Sequence, residues 1–285
     1  MLDENPLLDN YHQAPVIGYH RAPLSQKFGA PRQPNLVALT SIIEMLAPYD
    51  TPAAFDGLDK FSHIWVSWQF HHNYRYKNNN ETSTSFRAQV RPPRLGGNQK
   101  IGVFASRSMY RPSGLGLSVV KIEQVKIVQG RVLLIIKGAD MIDGTPIIDI
   151  KPYVAYSDAL IQTESGFAPT APELLNVTVT DVANEQFMML VSTGHTRSTH
   201  NNDTSIKDVN TGLINATVAS TIHRIQNQLI TSDMSIIKEL IAQDPRPAYR
   251  RTEIATPFVM RYKSVDVVFQ LIESGQLQIT AVAAI

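Results

Sequence analysis

The densest group of cations in the sequence lies between Val90 and Val120. No aspartate or glutamate occurs from Thr82 to Ile122, and three prolines fix the backbone around the positive side chains. A guanidinium held in place can donate two parallel hydrogen bonds to a carboxylate or a phosphate. The stretch therefore predicts an anion-binding site, whose candidate cations are Arg91, Arg94, Lys100, Arg107 and Arg111.

A second candidate is the loop "KFGAPRQP", Lys27–Pro34, in which glycine and proline stiffen the chain and present Arg32 and Gln33. A single arginine in a loop is weak support for a binding site, so an ordinary surface loop remains the alternative.

His71 and His72 follow an aromatic run, Phe61–Phe70, that predicts a buried strand. Adjacent residues of a strand point to opposite faces, so we do not expect both imidazoles to bind one metal ion. No further ligand stands nearby at metal-binding spacing, and we predict no metal site. A histidine that contacts a ligand and a polar strand end remain equally open.

Carboxylates cluster in "GADMIDGTPIIDIKPY", Gly138–Tyr153, where Asp140 and Asp143 lie among apolar residues. A carboxylate there could accept hydrogen bonds from ribose hydroxyls or an ammonium group. Asp143 precedes Gly144, so it could equally serve only to close a turn.

The last candidate is "QDPRPAYRR", Gln243–Arg251, which follows a predicted helix. Cations beside an aromatic ring suit phosphate contacts combined with base stacking, and Arg246, Tyr249 and Arg250 are the candidate residues. A plain helix stop explains the proline equally well.

Short apolar runs separated by tight turns dominate the first half of the chain and favour a closed β-barrel or a sandwich. Gly114-x-Gly116 lacks the third glycine of a dinucleotide fingerprint, and no Gly-Lys-Ser/Thr occurs, so Rossmann and P-loop folds are excluded. The segment Val37–Leu46 has helix-like spacing. The predicted strands are Val16–Tyr19, Phe61–Phe70, Ile101–Ser106, Leu117–Val125, Arg131–Lys137 and the run "PIIDI".

Beyond a linker-like stretch, Ala155–Pro172, the pattern changes. Helices are predicted over Gly212–Leu229 and Met234–Ala242, followed by three β-type runs. The sequence thus predicts a barrel domain over 14–158 and a smaller α+β domain over 172–285.

Composition narrows the class of protein further. The 285 residues carry a formal net charge of +1, and 43% are hydrophobic, which suits folded domains. The absence of cysteine excludes disulfides and thiolate chemistry. The N-terminus lacks an apolar segment and no run could span a bilayer, so we expect a cytoplasmic protein without membrane contact.

Taken together, the motifs resemble one family. They occur in the order expected for TrmO, a tRNA methyltransferase family that uses S-adenosylmethionine. The resemblance implies a small barrel that binds the cofactor, a C-terminal domain that assists tRNA binding, and a homodimer. It implies methylation of N6 of threonylcarbamoyladenosine beside the anticodon of threonine tRNA. The motifs are "KFGAPRQP", "GLDKFSHIWVSWQFHH", "VRPPRLGGNQKIGVFASRSMYRP", "GLSVVKIEQV", "DMIDGTPIIDIKPYV" and "QDPRPAY".

Site residues follow from that resemblance. The implied cofactor-binding residues are Pro31, Arg32, Gln33, His71, His72, Arg107, Leu117, Asp140, Met141, Ile142 and Asp143. The remaining cations are assigned to tRNA: Arg91, Arg94, Arg111, Arg246 and Arg250, with Tyr249 beside them. The N6 proton must leave during methylation, so a general base is conceivable, and His71 and Asp143 are the candidates.

The chain departs from the family pattern at one loop, and two alternative functions remain open. The family usually reads Arg-Pro-Asn-Pro where this chain has Arg111-Pro112-Ser113-Gly114, which leaves the geometry of that loop open. The chain could instead be a non-catalytic RNA-binding module, or an S-adenosylmethionine-dependent enzyme that acts on a small nucleoside.

Overall fold

The computed structural model describes residues 12–72, 86–200 and 217–285. Six antiparallel strands close a barrel in the order β1, β2, β7, β6, β3, β8, and β4 pairs with β5 outside it. The strands are β1 (Gly18–Arg21), β2 (Thr40–Met45), β3 (His63–Gln69), β4 (Gln89–Val90), β5 (Ile101–Gly102), β6 (Leu115–Val128), β7 (Arg131–Lys137) and β8 (Pro146–Pro152).

The barrel encloses its own apolar core because its strands alternate inward and outward. In β3, Ile64, Val66 and Trp68 are buried while the residues between them are more exposed. Val132, Leu134 and Ile136 of β7 are fully buried in the same core. The predicted fold class, mainly β with a closed barrel and a smaller α+β part, is confirmed.

Two local predictions were wrong. Val37–Leu46, predicted as a helix, contains strand β2 instead. Its Thr40, Ile42 and Ile43 are β-branched, and the strand is buried on both faces, so the period of two is hidden in the sequence. The predicted strand Ile101–Ser106 pairs only at its first two residues and then turns into a 3₁₀ helix at Val103–Ala105.

The C-terminal unit is a four-stranded sheet covered by helices. Its strand order is β10, β11, β12, β9, with β9 parallel to β12. Helices α2 and α4 share its core, and so do Leu24, Val37 and Leu39 from the loop between β1 and β2. The bounds are β9 (Asn176–Val179), α2 (Asp181–His200), α4 (Asp233–Ala242), β10 (Phe258–Tyr262), β11 (Val265–Glu273) and β12 (Gln276–Ala284).

Two further helices contact the barrel. The four-residue α1 (Ala155–Asp158) follows β8, and the Asp158 carboxylate accepts the Trp65 indole N–H at 2.9 Å. Helix α3 (Val218–Gln226) packs against the barrel through Val218 and Ile222. It lies inside the predicted helix Gly212–Leu229, whose first residues, 212–216, fall outside the described residues. Among the described helices, none is long and apolar enough to cross a membrane.

Candidate functional site

Three loops meet at one end of the barrel. Antiparallel neighbours run in alternate directions, so β1, β3 and β7 end where β2, β6 and β8 begin. The connections 22–39, 70–114 and 138–145 therefore leave and re-enter the barrel at that end, which we call the loop end of the barrel; residues 73–85 of the second connection lie outside the described residues. These connections contain every cofactor-binding residue predicted from the sequence except Leu117, which lies near the start of β6.

The turn Asp140–Asp143 is held from several sides. The Asp143 N–H donates to the carbonyl of Leu24 at 2.7 Å. The Asp143 Oδ1 accepts the N–H of Ala22 at 2.9 Å and the side-chain amide of Gln226 at 2.6 Å. Asp143 is thus more than a turn-closing residue, because its carboxylate joins the turn to the end of β1 and to helix α3.

A buried histidine lies beneath this turn. His20 is fully buried, its Nδ1 lies 3.1 Å from the carbonyl oxygen of Ile142, and its Nε2 lies 2.7 Å from Oγ of Ser41. A carbonyl only accepts, so Nδ1 carries the proton and Nε2 accepts from the serine hydroxyl. Burial lowers the pKa of His20 to about 4.

This pKa predicts a pH-dependent stability. The unfolded chain binds a proton at His20 below about pH 6.5, whereas the folded protein resists it down to about pH 4. Stability from this residue is therefore present above pH 6.5 and lost on acidification across that window, by about 3 kcal/mol. Urea unfolding from pH 4 to 7 should show a flatter profile for His20→Gln than for the wild type; equal slopes would contradict the assignment.

A short chain of hydrogen bonds supports Asp140, the other aspartate of the turn. The indole N–H of Trp68 donates to Oγ of Ser118 at 3.0 Å, and that hydroxyl donates to Oδ1 of Asp140 at 2.6 Å. Gly116 is required beside it, since a Cβ there would lie 2.2 Å from the Trp68 ring. Burial raises the pKa of Asp140, against the opposing effects of Ser118 and Arg107.

Arg107, one of the implied cofactor-binding residues, interacts electrostatically with the Asp140 carboxylate. Arg107 is exposed, and its Nη1 donates to Oε1 of Gln33. Leu117 is 56% exposed, so it offers apolar surface at the same end of the barrel. The structure therefore brings a cation, a carboxylate and an apolar side chain to one end of the barrel.

The remaining predicted cofactor-binding residues of these loops differ in exposure. Pro31 and Met141 are buried, and Ile142 is 9% exposed, so their side chains brace the loops. Arg32 is exposed, and its Nη2 lies 3.4 Å from the carbonyl of Asp244 in the C-terminal unit.

His71 and His72 lie in a turn just after β3. Their ring centroids are 4.2 Å apart, so the expected separation onto opposite faces does not occur, because the strand ends at Gln69. The His71 imidazole interacts with the backbone carbonyl of Asp143. Burial, His72 and Lys27 lower the pKa of His71. No cluster of three metal-ligating side chains occurs within residues 12–72, 86–200 and 217–285.

The predicted RNA-binding arginines of the long loop stay near the surface. Arg91 is exposed. Arg94 is exposed and donates to the carbonyl of Thr170. Arg111 is half-buried, donates to Ser106 and lies 5.6 Å from the ring centroid of Phe104.

The departure from the family pattern has a backbone explanation. Gly114 adopts a φ of +62°, which proline cannot reach. The Ser113 hydroxyl accepts the N–H of Leu115 at 3.3 Å. The loop therefore closes with a left-handed glycine in place of a rigid proline.

The C-terminal candidates differ from one another. Tyr249 is 84% exposed, as an RNA-stacking residue must be. Arg250 donates to both carboxylate oxygens of Glu253 and lies 4.6 Å from the ring centroid of Phe258. Arg246 is only 1% exposed and donates to both oxygens of Asp244, at 2.7 and 3.2 Å. This position does not suit the RNA contact predicted for Arg246 and indicates a structural role.

We expect Arg246→Ala to lower the free energy of unfolding by about 3 kcal/mol, because it breaks a buried ion pair. Urea unfolding measures the loss. Tyr249→Ala is the matched control from the same motif and should change stability by less than about 0.5 kcal/mol, since its ring is exposed. Equal stabilities for the two variants would contradict the structural role of Arg246.

Four supporting residues were missed by sequence reasoning: His20, Trp68, Ser118 and Gln226. Each is a single polar or aromatic residue inside a strand or helix, and no spacing around it marks it as part of a site, although Trp68 and Ser118 fall within quoted motifs. Their contacts with the turn Asp140–Asp143 exist only after folding.

The fold and the site together define the class of protein. It is a closed antiparallel barrel with a charged loop end, joined to an α+β unit whose core includes residues of the connection 22–39. Two family models match the chain, the tRNA-methyltransferase O N-terminal domain over residues 19–159 and the TrmO C-terminal domain over 213–285. The chain belongs to the tRNA-methyltransferase O (TrmO) family.

Individual relatives agree with this membership. The "tRNA (adenine(37)-N6)-methyltransferase" of Escherichia coli K12 is 34% identical over 239 residues, 83% of each chain. The "Putative S-adenosylmethionine-dependent methyltransferase RcsF" of Pseudomonas aeruginosa PAO1 is 34% identical over 257 residues, covering 90% of this chain and 91% of that protein. A crystal structure of TrmO from Pseudomonas aeruginosa superimposes with a TM-score of 0.64 at 27% identity, over 96% of this chain and 99% of that one.

Proposed function

We propose that this protein transfers a methyl group from S-adenosylmethionine to N6 of threonylcarbamoyladenosine, next to the anticodon of threonine tRNA. Family membership supports the coarser part of the proposal, a tRNA N6-methyltransferase that uses S-adenosylmethionine. The observation that carries it is the loop end of the barrel, where two neighbouring loops meet: Arg107 interacts with Asp140, and His71 interacts with Asp143.

The side chains at the loop end fit the cofactor chemically. The cofactor carries a carboxylate, an ammonium, a ribose diol and an apolar purine. Arg107 suits the carboxylate, Asp140 suits the ammonium or the hydroxyls, and the exposed Leu117 suits the purine face. The bound cofactor supplies an electrophilic methyl group, and the protein must position the acceptor and exclude water.

His71 suits the role of general base better than Asp143 does. The Asp143 Oδ1 is already engaged by Ala22 and Gln226, and this arrangement serves the turn. The lowered pKa of His71 keeps its imidazole neutral at pH 7. As the N6–methyl bond formed, the bond from that methyl group to the cofactor's sulfonium would break with its electron pair left on sulfur, and the N6 proton would pass to the imidazole nitrogen that carries the lone pair.

The long loop supplies the RNA-facing surface in this proposal. Arg91 and Arg94 are exposed cations, and Phe104 is 66% exposed beside Arg111. Cations and exposed rings suit the phosphates and unstacked bases of an anticodon loop. The same exposed apolar side chains, with Phe86 at 52% exposure, would also suit a second copy of the chain, as in a homodimer. A cytoplasmic location would follow from a tRNA substrate.

The proposal can be tested in cells by mass spectrometry of nucleosides from purified threonine tRNA. Deleting the gene should remove the N6-methyl form of threonylcarbamoyladenosine and leave its unmethylated form, and restoring the gene should reverse the change. An unchanged nucleoside profile would contradict the proposed substrate. A chain that shifts no melting temperature when S-adenosylmethionine is added would instead be an RNA-binding module.

A further inference from the structure

One side chain from the C-terminal half of the sequence reaches the turn Asp140–Asp143. Gln226, the last residue of α3, donates from Nε2 to the Asp143 Oδ1 at 2.6 Å. The same oxygen accepts the N–H of Ala22 at 2.9 Å. One carboxylate oxygen thus ties α3 and the end of β1 to the turn.

Helix α3 is anchored on the barrel, which fixes the position of Gln226. Val218 and Ile222 pack with Ile42 of β2 and with Leu133 of β7. A capping box holds the N-terminus of the helix, since the Thr217 side chain accepts the N–H of Ser220 and the Ser220 hydroxyl accepts the N–H of Thr217. The Gln226 amide therefore donates to the turn from a helix whose position on the barrel is fixed.

We propose that Gln226 is a positioning residue of the cofactor site, through which α3 holds the turn Asp140–Asp143 in its binding shape. The inference rests on the proposed function, because it assigns that turn to the cofactor. A neutral amide donor satisfies this oxygen of the Asp143 side chain without adding charge. Without Gln226, the carboxylate keeps the Ala22 N–H but loses its link to the helix, and the turn gains freedom.

Charged and titratable groups surround this contact. His20 and His71 interact electrostatically with Asp143. A cavity of about 510 Å³ beside Gln226 is bordered by further titratable or charged residues on the barrel and on α3: Arg21, Glu44, Arg131 and His223. The wild-type protein measured at each pH therefore serves as the reference for every variant.

The first test compares Gln226→Ala with Gln186→Ala. Gln186 also uses its side-chain amide in one hydrogen bond, with Oε1 accepting the N–H of Val282 at 2.9 Å, but it lies in the C-terminal unit away from the turn. By calorimetry we expect S-adenosylmethionine to bind Gln226→Ala about tenfold more weakly than the wild type, and Gln186→Ala within twofold of it. Without ligand, hydrogen exchange of residues 139–146 should be faster only in Gln226→Ala.

The second test uses Gln226→Glu, which places a carboxyl group against Asp143. That group can donate only while protonated, so the ratio of variant to wild-type dissociation constants should rise as the pH increases from 5 to 8. A merely structural residue would give a constant ratio.

Two results would overturn the inference alone, provided that the wild type binds S-adenosylmethionine. One is an unchanged affinity and exchange rate in Gln226→Ala. The other is an equal loss in Gln186→Ala. If the wild type itself fails to bind S-adenosylmethionine, the cofactor assignment fails, and the proposed function fails with it.

Discussion

Replacing Arg107 with alanine is expected to weaken the binding of S-adenosylmethionine by about 100-fold, because a charge-assisted hydrogen bond to a carboxylate contributes about 1.5–3 kcal/mol. The guanidinium of Arg107 is exposed, is held by Gln33, and lies near enough to Asp140 to oppose the rise in the pKa of that carboxyl that burial causes. Isothermal titration calorimetry with the purified protein measures the effect directly.

Two controls make the result specific. Arg107→Lys keeps the charge but loses the planar fork, so its affinity should fall between those of the wild type and the alanine variant. Lys60→Ala removes an exposed cation that lies just before β3, a strand about 20 Å long that ends at the loop end, and this variant should leave the affinity unchanged. An Arg107→Ala affinity within twofold of the wild type would remove Arg107 from the site.

Replacing His71 with alanine is expected to lower the rate of methyl transfer by about 100-fold or more at saturating cofactor and tRNA, because a positioned general base contributes about 10²–10⁴-fold. The pH profile gives the sharper readout. The pKa of His71 lies below its ordinary value, so wild-type activity should hold at pH 7 and fall only on further acidification, as the imidazole gains a proton.

The fall in activity at acidic pH, the acid limb of the profile, should be absent from His71→Ala. His72→Ala is the matched control, since its ring centroid lies 4.2 Å from that of His71, and it should retain the limb. If the acid limb persists unchanged in His71→Ala, another group titrates and the base assignment is wrong.

Sequence patterns located the loops well because their chemistry is local. Gly29 and Gly144 adopt positive φ values of 91° and 75°, so the glycines that marked these loops as turns are required by the backbone. The patterns could not show that three loops share one end of the barrel. That placement depends on strand order, in which β7 lies between β2 and β6.

At Arg246, the sequence pattern suggested the wrong environment. A cation beside proline and tyrosine after a helix suggests a surface contact, but Asp244 adopts a φ of +48° and its carboxylate faces the guanidinium. The resulting ion pair is buried against Phe258, whose ring centroid lies 6.0 Å from the guanidinium. The sequence shows the two charges as neighbours but not the chain reversal that buries them.

The supporting residues of the turn were hidden for a different reason. His20 acts on Ile142 across 122 positions of sequence, and Gln226 acts on Asp143 across 83 positions. Such pairs follow from tertiary packing and leave no spacing in one sequence to recognise. They matter because they set the shape of the turn that the motif only marks.

The central claim is tested most directly by incubating the purified protein with S-adenosylmethionine that carries an isotopically labelled methyl group. The acceptors are threonine tRNA with threonylcarbamoyladenosine, the same tRNA without that modification, and the free modified nucleoside. Mass spectrometry of the digested products should find the label at N6 of threonylcarbamoyladenosine, and only with the modified tRNA. Label at another atom, equal transfer to the free nucleoside, or no transfer to any acceptor would contradict the account.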